Sequence, residues 1–447
     1  MEKQIRKSVR TALIFLAIGI LLGTLIAFAS TPSSTFYLSS GIYPGAPSFT
    51  VWREGSNYFA KGANGQLSYS GTTIQVIQDA INVLHDADGG TILLTKGTYL
   101  GNLWLKKNVN LIGDGIRSTV IQGTVKINYS TILSPIYIEH LTIDAKAAGE
   151  DWGLELQGTV GALHALDLRI SGVRASIYVN GTDVLESTFE QIEIAWEQPI
   201  GILVEGYLYL STFSKIFINN VDYGFIQNST NYAMTFCTFN DLIFDVIAKK
   251  AMDINRMQSC MFNNLYVGDP VVGADQPLIL LKNTRDTVLQ FGNAFRGGTL
   301  NAFPNEYVMN ISDYYDGTMI SHVDFNKVQV SKIRIDASAT NTIIDSPLNL
   351  GAADIDDAST STLYRGAGFE NRGTAEASND DWVSFGCTFL DIPHLTLTVQ
   401  ESDANYFAQV KAVNTTHFQL YLYDHDAAAA EESDKTINWY AAVHALS

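Results

Sequence analysis

Four charged residues sit where a repeated apolar framework turns side chains toward solvent. Asp167 lies between Leu166 and Leu168, and Glu193 between Ile192 and Ile194; with the apolar neighbours facing a core, both carboxylates are expected on one outer face, a single repeat apart. Asp144 and Arg169 are expected to stack as a second pair beside them. Trp152 and Trp196 are expected in the loops that follow two of these strands, where an indole face can carry a sugar ring. Glycoside hydrolysis uses two carboxylates about 5 to 9.5 Å apart, and elimination uses a base beside a cation that stabilises a deprotonated uronate. Asp167, Glu193, Arg169 and Asp144 are therefore the candidate catalytic set, with Trp152 and Trp196 as candidate sugar platforms. The competing interpretation is a solvated sheet face, on which Asp144 and Arg169 form a surface ion pair worth about 0 to 1 kcal/mol.

A second group lies near the C-terminus. Trp382, His394, His417 and Tyr423 are candidates to line a glycan site, while Trp439 and Tyr440 alternate on a strand, so that one of them, Trp439, is expected in a core. Asp424-His425-Asp426 could contact a hard ion or zinc, but three such residues in a loop are ordinarily solvated. Calcium is the one cofactor the acidic composition leaves open, although neither an EF-hand nor a G-G-x-G-x-D nonapeptide occurs. Cys237, Cys260 and Cys387 contain no C-x-x-C pair and so propose no metal site.

The elements that must position these residues repeat. An aromatic or aliphatic residue is followed, after two intervening residues, by apolar-x-apolar: Phe189 with Ile192 and Ile194, Phe213 with Ile216 and Ile218, Phe239 with Leu242 and Phe244, Phe262 with Leu265 and Val267. Ile138 with Leu141 and Ile143, and Leu163 with Leu166 and Leu168, extend the series upstream, and Phe325 with Val328 and Val330 closes it. A period in the twenties with strand-like alternation means one solenoid coil per repeat. The leucine-rich consensus is absent and β-branched and aromatic residues dominate, which selects a β-helix. The four phenylalanines are expected to stack in the core. Cys237 and Cys260, each two residues before a ladder Phe, are expected as buried neighbours on adjacent coils without a disulfide.

Ahead of the repeats, Ile74, Ile77, Ile81 and Leu84 follow a helical period that Asp88-Gly89-Gly90 ends, giving an amphipathic helix able to cover the open first coil. Residues 31–72 read as a stalk with leader strands around Phe49 to Tyr69, residues 351–371 as a linker, and 372–447 as a separate small domain. Lys3, Arg6, Lys7 and Arg10 precede an uncharged apolar run over residues 11–29, the pattern of a signal peptide or of an uncleaved membrane anchor. The remainder is then extracellular, and Asn128, Asn180, Asn228, Asn310 and Asn414 are sequons open to glycosylation. A formal net charge of −18 argues against nucleic acid as a partner.

Ile74-Gln75 to Ala80-Ile81, Gly89-Gly90-Thr91-Ile92-Leu93-Leu94-Thr95-Lys96-Gly97-Thr98-Tyr99 and Val109-Asn110-Leu111-Ile112-Gly113-Asp114-Gly115 resemble the entry coils of the pectate-lyase-like superfamily. That resemblance implies an all-β, right-handed parallel β-helix over residues 73–350. The family's catalytic signatures are missing: there is no N-T-D, G-H-G and R-I-K set and no W-x-D-H element. The C-terminal segments Val383-Ser384-Phe385-Gly386-Cys387-Thr388-Phe389, Ile392-Pro393-His394-Leu395 and Ile437-Asn438-Trp439-Tyr440-Ala441-Ala442 are similar to the β-sandwich of H-type lectins and of viral tail-fibre tips, which implies trimers that bind sugars. Together they imply an extracellular or virion-associated protein whose partner is a polysaccharide or surface glycan. A secreted polysaccharide lyase or glycoside hydrolase, and a purely structural cell-surface solenoid, are the two alternatives.

Overall fold

The computed structural model describes residues 47–129, 135–195, 197–268 and 277–291, then 309–312, 315–317, 319–321, 333–345, 355–359, 362–365, 370–378, 380–385, 392–399, 406–424 and 435–442, all within the compact unit Pro47–Ser447. The leader at 1–30 with its apolar run, the stalk up to residue 46, Trp196, and the closing repeat at Phe325, Val328 and Val330 lie outside the described residues. Among the described residues no helix is long and apolar enough to cross a membrane.

The leader strands are part of the solenoid. β1 (Phe49–Glu54), β2 (Asn57–Gly62) and β3 (Leu67–Gly71) form an antiparallel meander, and β1 also pairs in parallel with β4 (Gly90–Leu94), Val51 opposite Leu94. The Tyr99 hydroxyl, 3.1 Å from the Val51 carbonyl and 2.9 Å from that of Thr95, ties this edge to the first coil, and burial pushes its pKa up to about 12. α1 (Gln75–Asp86) buries Val76, Ile77, Ala80, Ile81 and Leu84 in the same core, as its apolar spacing predicts. Asp88 and Gly89 end it with φ of 68° and 122°, and a Cβ at Gly89 would come within 2.6 Å of the Asn108 carbonyl oxygen.

From β4 onward the strands pair in parallel with their equivalents one coil away, and the pairing continues to Leu363–Arg365. Residues 351–371, expected as a linker, therefore contain strands: Ile355–Asp357 and Leu363–Arg365 extend the solenoid, and Glu370–Ala377 opens the next module. Inside, Phe189, Phe213, Phe239 and Phe262 stack with ring centroids 4.4, 5.0 and 4.3 Å apart. Cys237 and Cys260 are buried free thiols in an inward column that also holds Ser187, Ser211 and Thr287. Small side chains fit there because each can bond a neighbouring carbonyl or amide: Ser211 Oγ accepts from Ser187 N, and Thr287 Oγ1 from Cys260 N.

The three-residue step inside each repeat has a backbone cause. Residues i and i+3 of a strand normally face opposite sides; here both face inward because residue i+2 adopts the left-handed conformation and resets the alternation. His140, Asp167, Gln191, Lys215, Asp241 and Asn264 all have φ between 50° and 57° and form one column of corners. The register places Ile138 opposite Ala165 and Leu141 opposite Leu168, so the repeat unit of this coil is Ala165 with Leu168 and Ile170. The unit expected at Leu163, Leu166 and Leu168 was two residues out, since the small Ala165 disguised the true first position.

Near the C-terminus two three-stranded antiparallel sheets, one of Glu370–Ala377, Lys435–Ala442 and His394–Val399, the other of Trp382–Ser384, His417–Asp424 and Tyr406–Val413, enclose a core that includes Phe385, Phe418, Leu420, Ile437 and Trp439. Trp439 is inside and Tyr440 exposed, as their alternation predicts.

Candidate functional site

The corrected register rearranges the candidate acids. Glu193 stacks on Arg169, Nε to Oε1 3.2 Å, and not on Asp167. Asp167 is a corner residue, aligned with Gln191, and its Oδ2 lies 2.8 Å from His140 Nδ1 on the preceding coil. Asp144 does not pair with Arg169, whose partner in register is Thr142. It stacks on Ser171, accepting from Ser171 Oγ at 2.8 Å, and caps the helical turn α2 (Ala145–Ala148) by accepting from Ala147 N at 3.1 Å. Lys215 and Glu190 form a further ion pair at 3.1 Å. This face is thus a set of cross-coil polar pairs in which the expected carboxylate pair is not assembled.

A different face, missed at the level of sequence, carries a cleft. Its strands Leu103–Leu105, Val125–Tyr129, Trp152–Gly161 and Ala175–Leu185 stack in parallel, placing Trp104, Lys126, Glu155 and Tyr178 in one outward column. The cleft, about 450 Å³, is lined by Asn102, Trp104, Lys126, Glu150, Trp152 and Glu155 among others. Trp104 is 63 % exposed. Its backbone is held on both sides by Gln78 of α1, which accepts from Trp104 N at 2.9 Å and donates to Trp104 O at 3.0 Å. The walls are fixed as well: Asn102 Nδ2 donates to Glu150 at 2.9 Å, Thr124 Oγ1 donates to Trp152 O at 2.7 Å, and Lys126 Nζ lies 3.4 Å from Glu155. An indole on a rigid strand above a polar cleft is chemically suited to stacking a sugar ring while carboxylates and amides bond its hydroxyls.

Trp152 is placed differently from expectation. It opens a strand, and its ring stacks on Tyr178 with centroids 3.9 Å apart while the Arg174 guanidinium lies 4.7 Å from the ring centre. Engaged by Tyr178 and Arg174, Trp152 is a wall of the cleft, and Trp104 presents the open ring. Burial and the Glu205 carboxylate raise the Tyr178 pKa, since its hydroxyl donates to Glu205 Oε2 at 2.7 Å.

Beside this column runs a polar ladder. Asn128, Gln157 and Asn180 are in register, and the pairing of Val179, Val204, Gln227 and Ile254 sets Glu205, Asn228 and Asn255 next in line. Asn128 bonds Gln157 at 3.4 Å and Asn228 bonds Glu205 at 3.3 Å along the axis. Three of the sequons, Asn128, Asn180 and Asn228, fall on this ladder with exposed side chains.

Among the C-terminal candidates, Trp382 is 50 % exposed and its strand pairs with that of His417 in the same sheet, whereas His394 is exposed on the other sheet. His417 Nδ1 lies 2.9 Å from Thr416 Oγ1. Tyr423 belongs to the strand His417–Asp424, and residues 425 and 426 of the Asp-His-Asp triplet lie outside the described residues. Among the described residues no group of three or more His, Cys, Asp or Glu is placed to hold a metal ion.

No protein-family model and no curated protein matches the sequence. Solved structures do. The catalytic unit of a thermostable GH87 α-1,3-glucanase from Streptomyces thermodiastaticus aligns at 14 % identity and a TM-score of 0.50, over 65 % of this chain and 59 % of that one. The fold is a parallel β-helix. The tailspike gp49 from Pseudomonas phage LKA1 aligns at 12 % identity and a TM-score of 0.40, over 79 % of this chain and 66 % of that one. The tailspike of E. coli bacteriophage HK620, solved in complex with a pentasaccharide, aligns at 10 % identity and a TM-score of 0.37, over 82 % and 89 %. The chain thus spans about two thirds or less of the length of the first two. On this β-helix the Trp104 cleft and the amide ladder occupy the outer face of a single stack of strands.

Proposed function

We propose that this protein is an extracellular or virion-surface carbohydrate-binding protein that holds a polysaccharide along the outer face running from Trp104 past Asn128, Gln157 and Asn180. The observation that carries the proposal is the open indole of Trp104 at the rim of a polar cleft, on a strand whose backbone Gln78 braces. A large exposed aromatic side chain on a braced strand is costly to leave bare and is suited to the apolar face of a sugar ring. The ladder continues the contact in the form polysaccharides need, repeated amide and carboxylate groups spaced by about 4.8 Å from coil to coil. Catalysis is not required: the candidate carboxylates Asp167, Glu193 and Asp144 are engaged by His140, Arg169 and Ser171. The C-terminal sheets, with exposed Trp382 and half-buried His417, serve as a second contact that adds avidity when the chain oligomerises.

The test is a glycan array and polysaccharide binding screen on the full chain and on Trp104→Ala, with product analysis of every polysaccharide retained. Binding by the native chain that falls at least about tenfold in Trp104→Ala, roughly 1.4 kcal/mol, is expected without reducing ends or unsaturated products. Binding unaffected by the substitution removes the cleft from the proposal, and release of products replaces it with an enzyme.

A further inference from the structure

A second cleft lies farther along the solenoid, at the corner where the ladder reaches Asn255 and the short strands Met257–Gln258 and Thr284–Arg285 begin. It measures about 360 Å³ and is lined by Thr230, Asn255, Arg256, Gln258, Asn283 and Arg285, with Ala233 and Met257. Its charge is opposite to that of the molecule: the lining contains two guanidiniums and no carboxylate, in a chain of formal charge −18. Asp286 lies 3.4 Å from Arg285 Nε, an exposed pair that leaves the other edge of that guanidinium unengaged by it. Arg256 spends a single Nη1 bond, 2.9 Å, on the Thr230 carbonyl. A guanidinium offers five N–H donors in a rigid fork that matches an oxyanion, so most of the Arg256 fork remains available to a ligand.

The cleft is built from inside. Gln227 occupies an inward position between Val204 and Ile254, where its neighbours are apolar, and it is fully buried. Its Nε2 donates to the carbonyls of Ser229 and Tyr232 at 3.2 and 2.9 Å, and its Oε1 accepts from Asn255 N at 3.1 Å and Arg256 N at 2.6 Å. One buried amide therefore fixes both walls, the 228–233 turn and the start of the Arg256 loop. A buried polar group in an apolar ladder costs stability unless every bond is made, and here the bonds define the shape of a surface cleft. Asn255 is both a lining residue and the end of the amide ladder that starts beside Trp104, so the two clefts are joined by one polar track. From the coil of Lys126 to that of Asn255 the track covers five strand spacings, about 24 Å.

We infer that the Arg256–Arg285 cleft is an anion subsite and that the polysaccharide held on this face carries oxyanions, as uronate carboxylates or phosphate substituents. The assignment rests on the carbohydrate-binding role proposed above and adds the charge class of the ligand. The overall negative charge repels such a polymer at long range, so recognition depends on the local guanidiniums and weakens with salt. Gln227 acts as a positioning residue that holds Arg256.

The experiment uses the full chain on an array of uronate-bearing and phosphate-bearing glycans, each printed beside its carboxyl-reduced or dephosphorylated counterpart. The expected result is a preference of at least about tenfold for the anionic member, diminished near 1 M salt, where screening is nearly complete at contact distance. Arg256→Gln with Arg285→Gln should abolish the preference and leave binding to neutral counterparts unchanged. Gln227→Leu, which matches the apolar neighbours of its column, should reduce the preference with both arginines in place, while Trp104→Ala lowers binding to both members equally. Which substituent gives the preference separates carboxylate from phosphate. Equal binding of anionic and neutral members, or a preference that survives both arginine substitutions, overturns the anion subsite and leaves the carbohydrate-binding role standing. Absence of binding to every glycan by a chain with native circular dichroism overturns both.

Discussion

Two outer faces of the same solenoid use polar residues in opposite ways. On the face of Arg169 and Glu193, basic side chains and carboxylates on neighbouring coils pair with one another: His140 with Asp167, Arg169 with Glu193, Lys215 with Glu190. On the face of Trp104 and Arg256 one such pair, Lys126 with Glu155, recurs, but the scaffold also holds the backbone beside the ligand-facing groups, through Gln78 at one end and Gln227 at the other, with an indole and most of a guanidinium fork left facing solvent. Parallel stacking explains the contrast. Identical positions recur about every 4.8 Å, so opposite charges in one column meet, whereas aromatic and amide side chains in one column form a continuous surface. A face whose charges are mutually satisfied contributes modest stability, and a face whose donors remain open is available to a ligand.

The largest effect is expected from the core that both faces share: Phe213→Ala should cost about 3 to 5 kcal/mol, because Phe213 is fully buried between Phe189 and Phe239, and denaturant unfolding should show it for the whole cooperative unit. Next is the ligand-facing side, where Trp104→Ala should lower glycan affinity at least about tenfold while its melting temperature stays within about 2 °C of the native value. Asp144→Ala should do the reverse, losing about 1 kcal/mol of stability with the α2 cap and leaving glycan binding intact. Asp167→Asn and Glu193→Gln should each change stability by about 1 kcal/mol or less and binding not at all, since each weakens one half-buried cross-coil pair that water still reaches. Loss of glycan binding in either variant would move the functional face to the ion-paired side.

The smallest effect is a pH dependence. Burial lowers the pKa of His164, which stacks on Tyr137 at 4.8 Å, and the nearby Glu139 carboxylate opposes that shift. A histidine held below its unfolded value of 6.5 binds a proton in the unfolded chain first. Stability therefore falls as pH drops below about 6.5 and levels off once pH passes beneath the lowered folded value. His164→Gln should flatten that part of the stability profile measured by denaturant titration.

Several features were legible in the chain before any coordinates. The Phe-x-x-apolar-x-apolar spacing gave the coils and the aromatic ladder, the cysteines were placed as unbonded neighbours, and the helical period of Ile74 to Leu84 gave α1. The three-residue step also held a clue to the corners: two inward residues three apart require a residue with left-handed backbone between them, which His140, Asp167 and Asn264 supply. Without that residue in the count, Asp167 was assigned to the column of Glu193, and the candidate acids were joined on paper only.

Sequence alone determined the architecture, because a repeated apolar pattern has to bury itself coil upon coil and tolerates few other solutions. It did not determine the site. Trp104 and Glu155 are 51 positions apart in a segment with no motif, and Gln227 and Arg256 are 29 apart. Only the register of stacked coils brings such residues to one face, and register depends on loop lengths and left-handed corners that vary from coil to coil. The physical reason is that a parallel pairing shifted by one residue exchanges the inner and outer faces, so the composition of every outer face is decided in three dimensions.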